Sequence, residues 1–441
     1  IIAENGPDGG PAVVKSWTLK HYRDARGKPL DVVNPAASAQ LGYALSLALA
    51  DAEREKVLNQ ALFMASTDEA ELRAPTELAF EYSDGKLAAT KRFRFRHDYV
   101  VELETAVYDQ GAQVEHGIAW RGSFGDASLE TSWADLRVVW REPGRLDRKP
   151  ADKITEQEPF NQTFSAYAGL EDRYFAAVFL PAGPEFDQAH SLTARRLQWQ
   201  ATGAEKPSAG VAVAIQAKPA WAGRLFVGPK ALGVLERIQP AGNARVLDEM
   251  VDFGWFALIA KPIFLALRGI QNWRWVRNYG WAIVLLTIII NMALFPLKWK
   301  SMQSAWKMQK IAPQLRAIQE KYKKYGFNDP RKQPMQQEMM ALYRQHGVSP
   351  FGGCLPMLLQ FPFFLAFYNV LLTAIELRHA PWFGWIRDLS ARDPYYILPI
   401  IMTVTMYVST KMTPMTTADP AQQKMMTLMP LMFGGMFVIF P

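Results

Sequence analysis

Cysteine is almost missing from the 441 residues: Cys354 stands alone, so no internal disulfide can form and no zinc site of several thiolates can be built. The six histidines are scattered without ligand spacing, and neither metal nor cofactor is expected. There is no nucleophile elbow, Walker loop or HExxH pair, so no catalytic residue is assigned and no small-molecule substrate is expected. Carboxylates such as those of EQEPF (156–160) read as a solvated surface. Acidic residues are missing altogether between residues 253 and 319, a pattern common beside membranes and rare on soluble surfaces, although basic nucleic-acid binders share it.

What is present divides into two halves. Hydrophobic residues make up 49% of the chain and aromatics 12%, enough for a sizeable core and against overall disorder. A mean hydropathy near zero conceals the division. Residues 1–250 hold 29 Lys+Arg against 34 Asp+Glu, whereas 251–441 hold 20 against 8, with 16 of the 18 methionines. A domain boundary is expected near 250. Before it, runs such as KRFRFRHDYVVELETAVYD (91–109), RYFAAVFLP (173–181) and LTARRLQWQA (192–201) alternate with turn formers, the pattern of a large all-β sandwich. LGYALSLALA (41–50) is too short to span a bilayer and reads as a core strand or buried helix.

After the boundary, Phe256, Ile259, Ile263, Leu267 and Ile270 recur at helical spacing, predicting an amphipathic helix over 251–275, either in a membrane interface or packed on the soluble domain. Four strongly apolar segments follow at 281–297, 351–375, 394–410 and 425–441, each near spanning length, and together they predict an α-helical membrane bundle. The segment 298–349 is basic, with eleven Lys+Arg against three acids over 298–346, while 376–393 holds three of each. The positive-inside bias therefore puts 298–349 and the short loop 411–424 in the cytoplasm, and 376–393 and the β domain on the periplasmic side of a bacterial inner membrane.

Apolar stripes through Met308, Ile311, Leu315, Ile318 and Tyr322 and through Met335, Met339 and Leu342 flank the turn GFNDP, predicting a helical hairpin. Lys321, Lys323, Lys324, Arg331 and Lys332 cluster near its tip, either to attract ribosome, RNA or anionic lipid or simply to set topology. The spans carry unusual polar groups: Thr287 and Asn291 four residues apart, then Gln360, Asn369, Thr373, Thr403 and Thr405. Such groups face a bundle interior or a wet recess, or bond between helices. The spans hold no carboxylate, which disfavours a proton or ion pump.

With DFGWF (252–256), LFPL (294–297), QEMMALY (337–343), GGCLPMLLQFPFFLAFY (352–368), ELRHAPWFGWIRDLSARDPYYILPIIM (376–402) and DPAQQKMMTLMP (419–430), the chain resembles the YidC/Oxa/Alb membrane protein insertases, in particular the Gram-negative YidC type. The likeness covers most of 251–441; before that it rests on FVGPK (226–230) and the β patterning. A helix before the β domain and a last span, both usual in that type, lie outside this sequence. The resemblance implies a membrane insertase and chaperone that passes nascent membrane proteins from the ribosome into the lipid bilayer, alone or with the Sec translocon. It implies a hydrophilic groove including Thr287, Asn291 and Gln360, and a hydrophobic slide including Cys354, Leu355, Phe364, Phe433 and Met436. The family usually carries arginine where this chain has Asn291, so a neutral groove, relying on hydration more than on charge pairing, is expected. Two rivals are a small-solute transporter or channel and a periplasmic enzyme on a membrane anchor.

Overall fold

The computed structural model describes residues 2–3, 11–69, 71–128, 135–181, 189–200, 208–217, 219–238, 247–322, 333–347, 355–412 and 420–437. The chain forms two compact units, Ile1–Val251 and Asp252–Pro441.

Among the described residues the first unit has two main antiparallel sheets, as the alternating runs predict, besides two small two-stranded ones. The larger has ten strands. Nine run in the order Arg145–Pro150, Arg137–Glu142, Tyr167–Glu171, Phe175–Pro181, Trp221–Pro229, Val100–Asp109, Leu87–Phe95, Thr76–Ser83 and Met64–Ala65, with Ala112–Gln113 added to Val100–Asp109. The smaller runs Phe160–Phe164, His190–Trp199, Ser208–Ala217, His116–Trp120 and Ser46–Ala48. Phe175–Pro181 is buried at every position, the mark of a strand covered on both faces. The ambiguous run 41–50 becomes the short strand Ser46–Ala48 after helix α1 (Pro35–Leu41), with Ala44, Leu45 and Leu47 in the core. Two more short helices, α2 (Ala52–Gln60) and α3 (Leu232–Leu235), complete the unit's α-helices among the described residues.

The strand Leu87–Phe95 shows the period-two rule and its exception. Leu87, Ala89, Lys91 and Phe93 point inward, while Arg92 and Arg94 face out and pair with Glu77 and Glu104 on the neighbouring strands. Lys91 thus sits in the core, where its ammonium donates to the carbonyls of Ala12 and Leu45, both at 2.9 Å. Burial drives its pKa down to about 7. A second buried polar cluster holds Glu171, fully shielded from solvent, against Arg148 at 2.7 Å and Lys230 at 3.4 Å. Arg148 also donates to the carbonyls of Glu249 and Met250, fastening the last segment of the unit.

The second unit is helical. Helix α4 (Ala257–Gln271) is shorter than the expected 251–275 and buries Ala260, Ile263, Phe264 and Leu267. Of the predicted stripe Ile263 and Leu267 are buried, while Phe256, Ile259 and Ile270 are partly exposed because the buried face is turned toward Ala260 and Phe264. The helix packs on α5 (Tyr279–Tyr322) and α7 (Leu355–Thr373). The DFGWF motif makes its entry turn: Gly254 adopts φ +68°, its N–H donates to Asp252, and a Cβ on it would lie 2.8 Å from the Asn369 amide of α7. Helix α5 has 44 residues, about 66 Å at 1.5 Å per residue, and carries the first apolar segment without a break into the basic region beyond it. Met308, Ile311 and Leu315 of α5 form a small core with Met339, Leu342 and Tyr343 of α6 (Gln333–Gln345). The last two helices, α8 (Ile397–Met412) and α9 (Pro420–Phe437), pack on each other, with Gly434 so close to Thr403 that a Cβ there would clash.

Among the described residues α5 is long and apolar enough to cross a bilayer, and Gln360–Thr373, Ile397–Met412 and Thr427–Met436 are shorter apolar stretches. The expected spans 351–375 and 425–441 extend over residues outside the described ones. Large apolar side chains nevertheless stand exposed along all four helices, among them Met292 and Leu358, each 70% exposed, with Ile400 and Met432. In water such surface would drive collapse or association.

Candidate functional site

Thr287, Asn291 and Lys298 lie on one side of α5, within about 40° of each other at 3.6 residues per turn. They form a polar ladder along the helix. The Thr287 hydroxyl donates to the Ile283 carbonyl at 2.8 Å. The Asn291 amide donates to the Thr287 carbonyl at 2.8 Å, and Asn291 Oδ1 accepts from Lys298 Nζ at 2.6 Å. Ile289, Met292 and Phe295, elsewhere on the same helix, are exposed and apolar. One helix therefore offers a hydrogen-bonding stripe beside apolar surface.

Lys298 was not singled out from the sequence. A lysine at the end of an apolar run reads as a topology signal whose side chain snorkels outward to water. Here it bends back toward the span, as the N-terminal tilt of helical side chains permits, and is held by the asparagine two turns earlier. The seven-residue spacing was the available clue. Thr287 and Asn291 are exposed, and Asn291, expected to be a neutral position, accepts from an ammonium, because its amide oxygen is an acceptor available for it while the amide nitrogen is bound to Thr287.

Gln360 lies exposed on α7, with no hydrogen bond to Thr287 or Asn291 among the described residues. The other polar groups of the spans are mostly satisfied within their own helices. Thr373 donates to the Asn369 carbonyl, Thr403 to Pro399 and Thr405 to Ile401. Asn369 instead reaches out of its helix, its amide donating to the Phe253 carbonyl in the turn before α4 at 3.5 Å.

Of the expected slide, Phe364 is exposed on α7 and stacks on Tyr368, and Phe433 and Met436 are exposed on α9. Leu355 opens α7, and Cys354 lies outside the described residues. Of the basic cluster, Lys321 is described. It pairs with Glu338 of α6 at 2.7 Å, and this hydrogen bond holds the lysine above and the carboxyl below their ordinary pKa values. Tyr322 donates to the same carboxylate at 2.8 Å. Lys323, Lys324, Arg331 and Lys332 lie outside the described residues. No grouping of three metal-ligating side chains occurs among the described residues.

Comparison with known proteins adds the following. Residues 9–266 match the family described as the YidC periplasmic domain, and residues 271–441 the family described as 60Kd inner membrane protein. Three curated relatives are each named membrane protein insertase YidC. That of Syntrophus aciditrophicus is 35% identical over 97% of this chain and 77% of its own length. That of Cupriavidus necator is 40% identical over 82% of this chain and 64% of its own. That of Cupriavidus taiwanensis is 41% identical over 63% of this chain, which spans 46% of that relative.

Proposed function

Because the chain belongs to the YidC family of membrane protein insertases, we propose that it lowers the barrier to inserting nascent membrane proteins by offering the polar ladder of α5 to the segment that must cross. No bond is made or broken in this step. The matched families support an inner-membrane location with the β unit in the periplasm. The exposed apolar helices support a multi-pass bundle, with four spans near 281–297, 351–375, 394–410 and 425–441.

The observation that carries the proposal is the Thr287–Asn291–Lys298 ladder beside bare apolar surface. A polar tail in hydrocarbon has unsatisfied groups that cost several kcal/mol each. A tail that meets donors and acceptors on α5 loses less, while its hydrophobic segment stays in lipid against Phe364, Phe433, Met436 and Leu355 at the start of α7, with Cys354 the further residue expected of the slide. Lys298 gives this groove a positive charge that Asn291 alone lacks, which favours tails bearing Asp or Glu. Gln360 is the expected second wall. The helical hairpin of α5 and α6, with the basic residues at 321–332, is the expected cytoplasmic docking element for the ribosome. The Sec translocon is the expected partner for larger substrates.

The test places a photo-crosslinking residue at Asn291, at Gln360 and, on the opposite side of α5, at Ile289, with ribosomes stalled on a short membrane protein. Adducts of the polar tail at 291 and 360 that depend on nascent-chain length, and none at 289, are expected. Tail adducts at none of the three would remove the groove mechanism and turn attention to solute flux.

A further inference from the structure

Two loops at one end of the helical unit form a surface to which the proposed function assigns no part. Residues 273–278 lead into α5, and residues 378–396 join α7 to α8. They are locked together. Asn278 caps α5 through the Trp281 N–H and donates its amide to the carbonyls of Pro381 and Trp382. Trp382 lies edge-on to Trp281 at 5.7 Å and so close to Gly280 that a Cβ on this residue would overlap its ring. Backbone bonds from Trp382 to Ile386 and from Leu389 to Ala380 close the second loop on itself.

This surface presents aromatic rings and arginines together. Trp273, Trp275, Phe383, Tyr395 and Tyr396 are exposed, Trp275 by 86%. Arg274, Arg277, Arg387 and Arg392 are exposed too, and none forms an ion pair among the described residues. The carboxylates within the second loop are engaged inside it. Asp388 takes the His379 imidazole and backbone N–H and both Ser390 donors, while Asp393 takes the Trp385 indole and the backbone N–H groups of Tyr395 and Leu398. They are spent on holding the fold, and the arginine charge faces outward.

We infer that this surface is a docking site for the anionic headgroups of phospholipids in the leaflet it faces. The inference rests on reading α5, α7 and α8 as membrane spans. The patch sits where α5 and α8 begin and α7 ends, at the level where hydrocarbon gives way to headgroups. Indole and phenol rings partition to that level, and guanidinium forks pair with phosphate oxygens in two parallel hydrogen bonds. Charge complementarity selects the anionic lipid over the zwitterionic one. A soluble acidic protein would meet the arginines equally well but would leave the rings to water.

The lone cysteine makes a clean test possible. In full-length protein carrying Cys354→Ser, a fluorophore is attached at Ala391→Cys, an exposed position beside Arg392. The protein is reconstituted into mixed phosphatidylcholine and phosphatidylglycerol vesicles in which one lipid or the other carries a headgroup spin label. With each arginine at an anionic surface worth about fivefold, phosphatidylglycerol is expected to quench severalfold more strongly. The preference should vanish in R274Q/R277Q/R387Q/R392Q. It should also fade in the unmodified surface as salt rises from about 0.05 to about 0.5 M, a readout that does not depend on how that variant folds. Equal quenching by both lipids, quenching by neither, or a preference indifferent to salt overturns the inference. Substrate insertion is measured in vesicles of the same composition with unlabelled protein that keeps Cys354: lost insertion there, with a retained lipid preference in the labelled protein, removes the insertase proposal and leaves this surface standing.

Discussion

Replacing Lys298 by methionine should separate substrates by the charge of their translocated tails. The Lys298 ammonium lies 2.6 Å from Asn291 Oδ1 and has further hydrogens to donate. A carboxylate about 4 Å away would gain about 1 kcal/mol at the dielectric of water and about 4 kcal/mol at an effective value near 20. Lys298 is half-buried, so the lower figure is the safer guide, equivalent to about fivefold in rate. The assay is insertion into vesicles of one short substrate with either two aspartates or two asparagines in its tail. Lys298→Met should slow the aspartate form about fivefold and leave the asparagine form unchanged, and Lys298→Arg should retain the preference. Asn291→Leu is the sharper variant, because it keeps the lysine but removes its anchor, so the side chain can relax outward to the interface. It should lose the preference as fully as Lys298→Met. Equal slowing of both substrates by Lys298→Met, or a preference that survives Asn291→Leu, would refute the assignment of the charge to this pair.

Three further outcomes follow from the packing. The unfolded chain binds a proton at Lys91 up to the ordinary value near 10.5 whereas the folded one releases it near 7, so stability should rise with pH between these values and be level below them. Hydrogen exchange of Leu87–Phe95 in the whole protein, corrected for intrinsic rates, should show that slope, and Lys91→Met should abolish it. Arg148→Met strands the buried Glu171 and frees the carbonyls of Glu249 and Met250; with Lys230 still present the loss should be about 3 kcal/mol, read from denaturant midpoints. Gly254→Ala forces a side chain into a left-handed turn against Asn369 and should cost about 1–2 kcal/mol, seen as a lower unfolding temperature in detergent.

How far the sequence discloses this molecule depends on whether a feature is periodic. The β unit was legible because inward and outward residues alternate, and the same phase that puts Leu87, Ala89 and Phe93 inside puts Lys91 there too. What alternation cannot supply is the partner: the carbonyls of Ala12 and Leu45 come from segments 79 and 46 residues away. In the helical unit the apolar runs and the stripe through Met308, Ile311 and Leu315 were legible for the same reason. The continuity of α5 was not, since Pro296 and the change to basic residues suggest an end near 297, yet proline removes a single donor and the helix runs on. The site was half legible. Thr287 and Asn291 share a face by spacing alone, but the bend of Lys298 toward them is a matter of side-chain direction, and any approach of Gln360 is a matter of tertiary packing.

Placing the cation at 298 rather than 291 changes what the helix must endure on its own way into the membrane. A charge fixed at the centre of a span costs about 2.5–3.5 kcal/mol during insertion. A lysine at the end of the apolar run avoids most of that cost, because its ammonium can remain at the interface until the bundle has formed. Only when Asn291 offers its amide oxygen does the charge move inward, and the hydrogen bond that draws it there is made within one helix, without help from α7. The groove's charge is then conditional. It is present when Lys298 is folded back and absent when it is released, so on the proposed mechanism the tail of a passing substrate would compete with Asn291 for the same ammonium. A carboxylate wins that competition more readily than an amide, because both accept from the ammonium but only the carboxylate adds the attraction of an opposite full charge. On the proposed mechanism, release of the substrate into lipid would return the lysine to Asn291 and leave the groove uncommitted for the next chain.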